Sequence, residues 1–339
     1  MAVAVLCGRV AFVRPAAACD LCAIYTGTTM QEVLPGFSLS IAQQYTSFDT
    51  LQLDGDEIDN FDNERLQSSI TQFVVGYTLN PRVQVGVSVP LISRHYRRTT
   101  PTGRESGDET GIGDIALLTR WALVQRMFDE TLLNLDVTLG VKLPTGDTDR
   151  LGEETPPEPA SVADAATDGK TDKARPDGAV QPRHSGPGGA ISGVHGHDLT
   201  LGTGSVDFLF GASLFTNWKR AFFSGSVQYM VRHEGDYDYR YANDLQWEAG
   251  PGAYALLHHD YTLAVQAEVT GESKGKDEQN GVKVDDTAIT ALYVGPKLAF
   301  TYKTFTNAEI AFALPVIQNT TDLQIVPDYR LRAAWTWRF

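Results

Sequence analysis

The sequence predicts an all-β fold: a transmembrane, antiparallel, up-and-down β-barrel of about twelve strands, with short turns at one end and long loops at the other. Three observations carry this reading. Apolar and polar residues alternate with a period of two, the connections alternate between short and long, and the chain ends on aromatic residues. Successive strand side chains point to opposite faces, so such alternation builds one apolar and one polar wall. A mean hydropathy of -0.20 suits a barrel, because lipid-facing and lumen-facing residues cancel in the average. No apolar run reaches the roughly 18 residues that a membrane helix needs.

The alternation is clearest in three runs. Leu133, Leu135, Val137, Leu139, Val141 and Leu143 interleave with Asn134, Asp136, Thr138, Gly140 and Lys142. Val83, Val85, Val87, Val89 and Leu91 interleave with Gln84, Gly86 and Ser88, and Tyr261, Leu263, Val265, Ala267 and Val269 with Thr262, Gln266, Glu268 and Thr270. The same template places strands near residues 36–48, 66–79, 82–95, 112–125, 131–144, 203–218, 221–233, 244–257, 261–272, 287–302, 306–317 and 327–339. Most reach the 9–11 residues, roughly, that a tilted strand needs to cross a bilayer. Tight connections such as Asn80-Pro81 and Lys219-Arg220 alternate with long ones at 49–65, 96–111, 145–202, 234–243, 273–286 and 318–326. Short periplasmic turns and long external loops sort in this way in bacterial outer-membrane barrels, which puts both chain ends in the periplasm. In the last strand Tyr329, Leu331, Ala333, Trp335, Trp337 and Phe339 share one face, an aromatic ending suited to a membrane interface.

Residues 1–18 read as an export signal: Met1 to Val13 is apolar apart from Arg9, and Ala16, Ala17 and Ala18 supply small residues for cleavage. A periplasmic segment, 19–35, then opens on Cys19-Asp20-Leu21-Cys22, and 36–339 form the barrel. Within it, 145–202 are rich in Pro, Gly, Asp and Ala. The composition predicts a long external loop with too little apolar surface to order itself, either mobile or folded back over the mouth.

Three motifs, in order, resemble a family of outer-membrane transporters linked to the meta-pathway of phenol degradation. They are Gly111-Ile-Gly-Asp-Ile-Ala-Leu117, Val141-Lys-Leu-Pro-Thr-Gly-Asp147 and Leu201-Gly-Thr-Gly-Ser-Val-Asp207, and the ending Arg330 to Phe339 also looks like that family's. The resemblance covers roughly residues 65–339. It implies a barrel and a link to import of organic compounds, and it brings no catalytic residue. The Cys-x-x-Cys start and the 145–202 loop depart from the family's pattern.

A net charge of -14 argues against nucleic acid as a partner, since phosphate contacts need clustered Lys and Arg. If the apolar faces meet lipid, the lumen-lining candidates are Arg82, Asp114, Arg120, Asp136, Lys142, Asp207, Glu248, Glu268, Glu309, Arg330, Arg332 and Arg338. Their signs nearly balance, so they either pair across the lumen or line a solute path; Arg330, Arg332 and Arg338 on one strand suggest an anion-attracting stripe. Cys19 and Cys22 are a disulfide candidate in an oxidising periplasm, with lipid attachment at Cys19 or metal binding as alternatives. His184, His195 and His197 in the long loop are weak metal candidates, plain solvated side chains being the blander reading. Neither an enzyme nor a cofactor is expected. The expected role is passive passage of small, organic or aromatic solutes. The alternative is a non-conducting barrel that anchors or docks a periplasmic protein through the N-terminal segment. Outer-membrane lipid and lipopolysaccharide are the expected surroundings in either case.

Overall fold

A computed structural model describes residues 35–100, 102–154 and 192–339. The readings for the export signal, for Cys19 and Cys22 and for His184 lie outside those residues. Twelve wall strands run in sequence: β1 (Gly36–Leu53), β2 (Arg65–Asn80), β3 (Val83–Thr100), β4 (Ala116–Phe128), β5 (Thr131–Lys142), β6 (Asp207–Trp218), β7 (Ala221–Val231), β8 (Asp244–Leu257), β9 (Tyr261–Lys274), β10 (Ile289–Tyr302), β11 (Thr306–Thr320) and β12 (Leu323–Arg338). Each pairs antiparallel with the next. β12 returns to β1 from Ser38↔Arg338 to Leu53↔Leu323, so the sheet closes on itself. Closure leaves no sheet edge to face hydrocarbon, which is why strands can span a membrane only as barrels.

All twelve expected strands are present, and the periodicity has a cause visible in β2. Phe73, Val75, Tyr77 and Leu79 face outward and are exposed, while Gln72 and Thr78 face the interior and are buried. Val85, Val87 and Leu91 of β3, Phe208 and Phe210 of β6, and Leu263 and Val265 of β9 continue the apolar belt around the wall. Trp335 and Trp337 stack at 4.6 Å near the periplasmic rim, where amphipathic rings favour the boundary between lipid and water. A closed barrel with this belt stands in the outer membrane of a Gram-negative bacterium.

The strands run further outward than the alternation predicts, because the pattern changes phase. On β2 the outward positions turn polar at Arg65, Gln67, Ser69 and Thr71, while the inward ones become apolar at Leu66 and Ile70. On β3 the outward set becomes Ser93, His95, Arg97 and Thr99, and the inward set Ile92, Arg94 and Tyr96. The wall therefore rises above the lipid as a water-facing collar whose apolar side turns in.

Several boundaries differ from expectation, most of them where strands extend into expected loops, as β1 does to Leu53. The connection expected over 318–326 shrinks to Thr321-Asp322, since β11 and β12 extend to meet their outer neighbours β10 and β1. The long loop expected over 96–111 is instead a hairpin: β3 runs on to Thr100, Gly103–Ile112 pairs back on it, and Gly113 to Ile115 step inward before the fourth wall strand begins at Ala116 rather than 112. β6 starts at Asp207 rather than 203 because the residues before it are held inside the bore.

Candidate functional site: the bore and its plug

The collar turns apolar residues inward because it encloses protein. Residues 145–154 and 192–206, the two described ends of the long third external loop, lie within the collar, and Leu151, Val194, Leu199 and Leu201 are buried there. Val194 and Leu199 pack against Phe48, Leu51, Leu66, Tyr96 and Ile325 of the wall. Leu201 packs against Ile70 and Ile92. Each fully buried aliphatic side chain contributes about 1.5–3 kcal/mol. The expectation that the whole 145–202 segment lacks the means to order itself is thus corrected at its ends. Average composition hid the fact that its few large apolar residues cluster there.

The plug is also tied by polar contacts. Glu64, buried at the top of the wall, accepts from the Gly193 N–H at 2.8 Å and the Thr99 N–H at 2.9 Å. The Ile325 N–H donates to Gly193 O at 2.9 Å. Beside it, Arg150 donates to Glu109 and Tyr96, and Arg98 bridges Glu105 and Glu153 at 2.8 and 2.7 Å.

At the neck of the loop the three sequence motifs meet. The inward step at Gly113 to Ile115 delivers Asp114, whose carboxylate accepts from the backbone N–H groups of Thr145 (3.2 Å), Gly146 (3.0 Å) and Thr203 (2.9 Å). Lys142 Nζ donates to Asp114 and Thr203 at 2.7 Å each and reaches Asp207 at 2.8 Å. Arg232 joins Asp207 at 2.9 Å to Asp244 at 2.8 Å. Lys142 is 5% exposed, and the side chains of Asp207 and Arg232 not at all. Burying charge is tolerated only when every charge is paired and hydrogen-bonded, as here. Gly146 and Gly202 sit where the two chain ends cross: a Cβ on Gly202 would lie 2.6 Å from the Gly146 carbonyl, so the neck admits no side chain at either position.

Below the plug a second charged layer crosses the bore. Lys297 approaches Glu268 at 3.2 Å, Glu309 at 3.6 Å and Glu248 at 3.9 Å. Arg332 pairs with Glu248 at 3.0 Å and also with Glu268. Beside this layer lies a small recess of about 10 Å³, room for about one water molecule. Phe222, Ala264 and Ala299 form one part of its lining, and Ser224, Gln266, Lys297, Asn307 and Glu309 the other. Phe222 stacks at a tilt between Phe215 and Tyr254, with centroids 5.9 and 5.3 Å away.

Asp114, Lys142 and Asp207 therefore sit at the neck, and Glu248, Glu268, Glu309 and Arg332 in the lower layer. Arg120 and Asp136 form a separate pair at 2.8 Å, and Arg338 is half-buried at the periplasmic end of β12. Arg82 is exposed in the β2–β3 turn, where its N–H donates to Asn80; it belongs to the rim, because β3 starts one residue later than the alternation places it. Arg330 pairs with Glu272 at 2.5 Å, so carboxylates face both Arg330 and Arg332 and the anion-attracting stripe is not formed by that pair. Sequence reasoning missed Lys297, the hub of the lower layer. The signal was present: Val294, Pro296, Leu298 and Phe300 face out, which leaves Lys297 facing in. Arg232, Glu64 and Glu272 carried no comparable signal, since their roles depend on partners far away in the chain.

His195 and His197 are buried in the plug, with ring centroids 5.2 Å apart and nearly parallel planes. Burial disfavours a charged imidazole, but the Asp198 and Glu154 carboxylates outweigh it at His197, which is raised to about 10. Asp286 and Asp198 raise His195 against the same burial penalty. Burial likewise opposes ionisation of Asp198, and His197 and His195 overcome it, holding that carboxyl well below its usual range.

Fold and bore together define an outer-membrane β-barrel whose collar is filled by the described ends of its third external loop. Among solved structures the chain is similar to an outer membrane channel from Pseudomonas putida F1, at 13% identity and a TM-score of 0.55, over 91% of this chain and 97% of that one. It is also similar to the β domain of the Bordetella autotransporter BrkA (10% identity, TM-score 0.43, 89% and 99% covered) and to the CymD monoaromatic hydrocarbon channel (9%, 0.36, 91% and 89%). At these identities the likeness is one of fold. No protein-family model and no curated protein matches the sequence.

Proposed function

We propose that the protein is an outer-membrane channel for passive passage of small organic solutes, with the third external loop as its gate. The observation that carries this reading is the plug: the described ends of an external loop fill the collar of a closed barrel, above a wall that is apolar at Phe222, Ala264 and Ala299 and polar at Ser224, Gln266 and Lys297. Such a mixed lining suits a small solute with an apolar body and a polar or ionisable group, admitted once the plug has left the bore. The shared fold with a known outer membrane channel supports the general role, and the three motifs that resemble the phenol-linked transporters support organic solutes. Opening would require the plug to leave the collar while the neck at Asp114, Lys142 and Asp207 holds its base.

A second reading, the non-conducting anchor, draws on the filled collar and assigns the work to residues 19–35 and a periplasmic partner. Single-channel conductance of the refolded barrel in a planar bilayer, with and without residues 145–202, separates the two. Openings that enlarge on deletion support the gated channel. Silence from both proteins, each folded by its heat-modifiable migration on a gel, overturns it and favours the anchor.

A further inference from the structure

We propose that His195, His197 and Asp198 form a binding site for one divalent transition-metal ion of the zinc type, which clasps the plug inside the collar. The argument starts from the short sequence His195-Gly-His-Asp198, which enters the one-turn helix Gly196–Leu199. Each imidazole spends one nitrogen on a buried carboxylate, one from the other end of the same loop and one from the loop before β10. His195 Nε2 lies 3.2 Å from Asp286, and His197 Nδ1 lies 3.1 Å from Glu154. The remaining nitrogens turn toward the same carboxylate: His195 Nδ1 is 3.6 Å from Asp198 Oδ2, and His197 Nε2 is 3.5 Å from Asp198 Oδ1.

One donor atom from each of the three residues fits within a mutual 4.8 Å. Donors bound tetrahedrally at roughly 2.0–2.2 Å from zinc stand about 3.3–3.6 Å apart, so the spacing to the carboxylate already matches. His195 supplies an independent sign: it is 6% exposed, and its Nδ1 makes no hydrogen bond. A buried ring nitrogen of this kind is costly unless something accepts its lone pair or its proton. Metal-bound histidines typically carry a carboxylate on the other nitrogen, which fixes ring and tautomer; Asp286 and Glu154 stand where that role requires. Two nitrogen donors favour zinc, copper or nickel over calcium or magnesium. The Asp198 side chain is 31% exposed, which gives an ion a way in and a water the fourth position.

The consequence is mechanical. The ligands come from the returning end of the third loop, Glu154 from its outgoing end and Asp286 from the loop before β10. Tyr241, before β8, donates to His197 O at 3.0 Å. An ion here would therefore fasten three external loops at one point.

The test uses the full chain in detergent, stripped with a chelator and titrated with Zn²⁺ by calorimetry and with Co²⁺ by visible absorption. Saturation at one ion per chain, with the intense bands of tetrahedral Co²⁺, is expected. His197→Ala and Asp198→Asn should each weaken binding at least a hundredfold, roughly, and Glu154→Gln about 10–100-fold. A variant carrying Cys19→Ser, Cys22→Ser and His184→Ala should bind as before. Folding of each variant is read from heat-modifiable migration, and the Co²⁺ spectrum of the unmodified chain tests the site even if a variant fails to fold. No stoichiometric binding, binding that survives loss of His197, or binding lost with the cysteines would each overturn the proposal. None of these readouts depends on conductance, so the site and the channel reading stand or fall separately.

Discussion

Replacing Lys142 by Met is expected to release the plug while leaving the barrel folded. The substitution keeps length and apolar volume but removes the ammonium that joins Asp114 at 2.7 Å, Thr203 at 2.7 Å and Asp207 at 2.8 Å. Asp207 retains Arg232, whereas Asp114 retains only backbone and hydroxyl donors. Removing one partner of a buried charge network costs about 3–5 kcal/mol. Lys142 and Asp207 are cross-strand partners of β5 and β6, so the wall takes part of this cost and docking of the loop ends, through Asp114 and Thr203, takes the rest. At about 1.4 kcal/mol per factor of ten, the undocked population rises by at most roughly a few thousandfold. Two measurements read this. Single-channel recording should show a higher open probability, and brief proteolysis of folded protein should cut between Asp147 and Ser205 faster than in the unmodified chain. Equal protection and equal conductance, with a folded barrel, would show that the neck network does not hold the plug and would refute the reasoning.

Replacing Lys297 by Met leaves Glu248, Glu268 and Glu309 facing Arg332 alone. In a chain lacking residues 145–202, the reversal potential across a salt gradient should then shift toward cation preference; an unchanged potential would mean that the lower layer does not line the path. Val87→Arg puts a charge on the outward, exposed face of β3, where midplane positions cost about 2–4 kcal/mol. Denaturant titration in lipid should show that loss, and a neutral result would mean that Val87 does not face the bilayer core. Burial raises the Glu105 carboxyl in the collar, but hydrogen bonds from Tyr96 and Arg98 and the guanidinium charges more than offset this and hold it below its usual value. A depressed carboxyl contributes stability above its unfolded pKa and loses it as the pH falls through the folded one. Release of the loop to protease should therefore grow only as the pH drops below about 4, and Glu105→Gln should abolish that step.

The amino-acid sequence by itself determined the strand number, the lipid-facing wall, and the order of turns and loops except at 96–111 and 318–326, where strands extend until only two residues connect them. These are local properties: side-chain period is two in any strand, and the bilayer demands one apolar face over a fixed thickness. For the same reason Lys297 was legible from its neighbours Pro296 and Leu298. The sequence also marked the three motifs around Asp114, Lys142 and Asp207, but as separate stretches. Only the tertiary structure decided that they meet, because the contact between residues 114 and 203 forms only when the loop turns back into the bore. The collar was hidden by the same template that found the strands: once Leu66 and Ile70 turn inward to pack on Leu199 and Leu201, apolar residues no longer mark the lipid face. His195 and His197 looked like solvated residues of a polar loop, since nothing near them in sequence says that they are buried. Glu154 and Asp286, which set their environment, lie tens of residues away, and closure of the barrel alone brings those charges within reach.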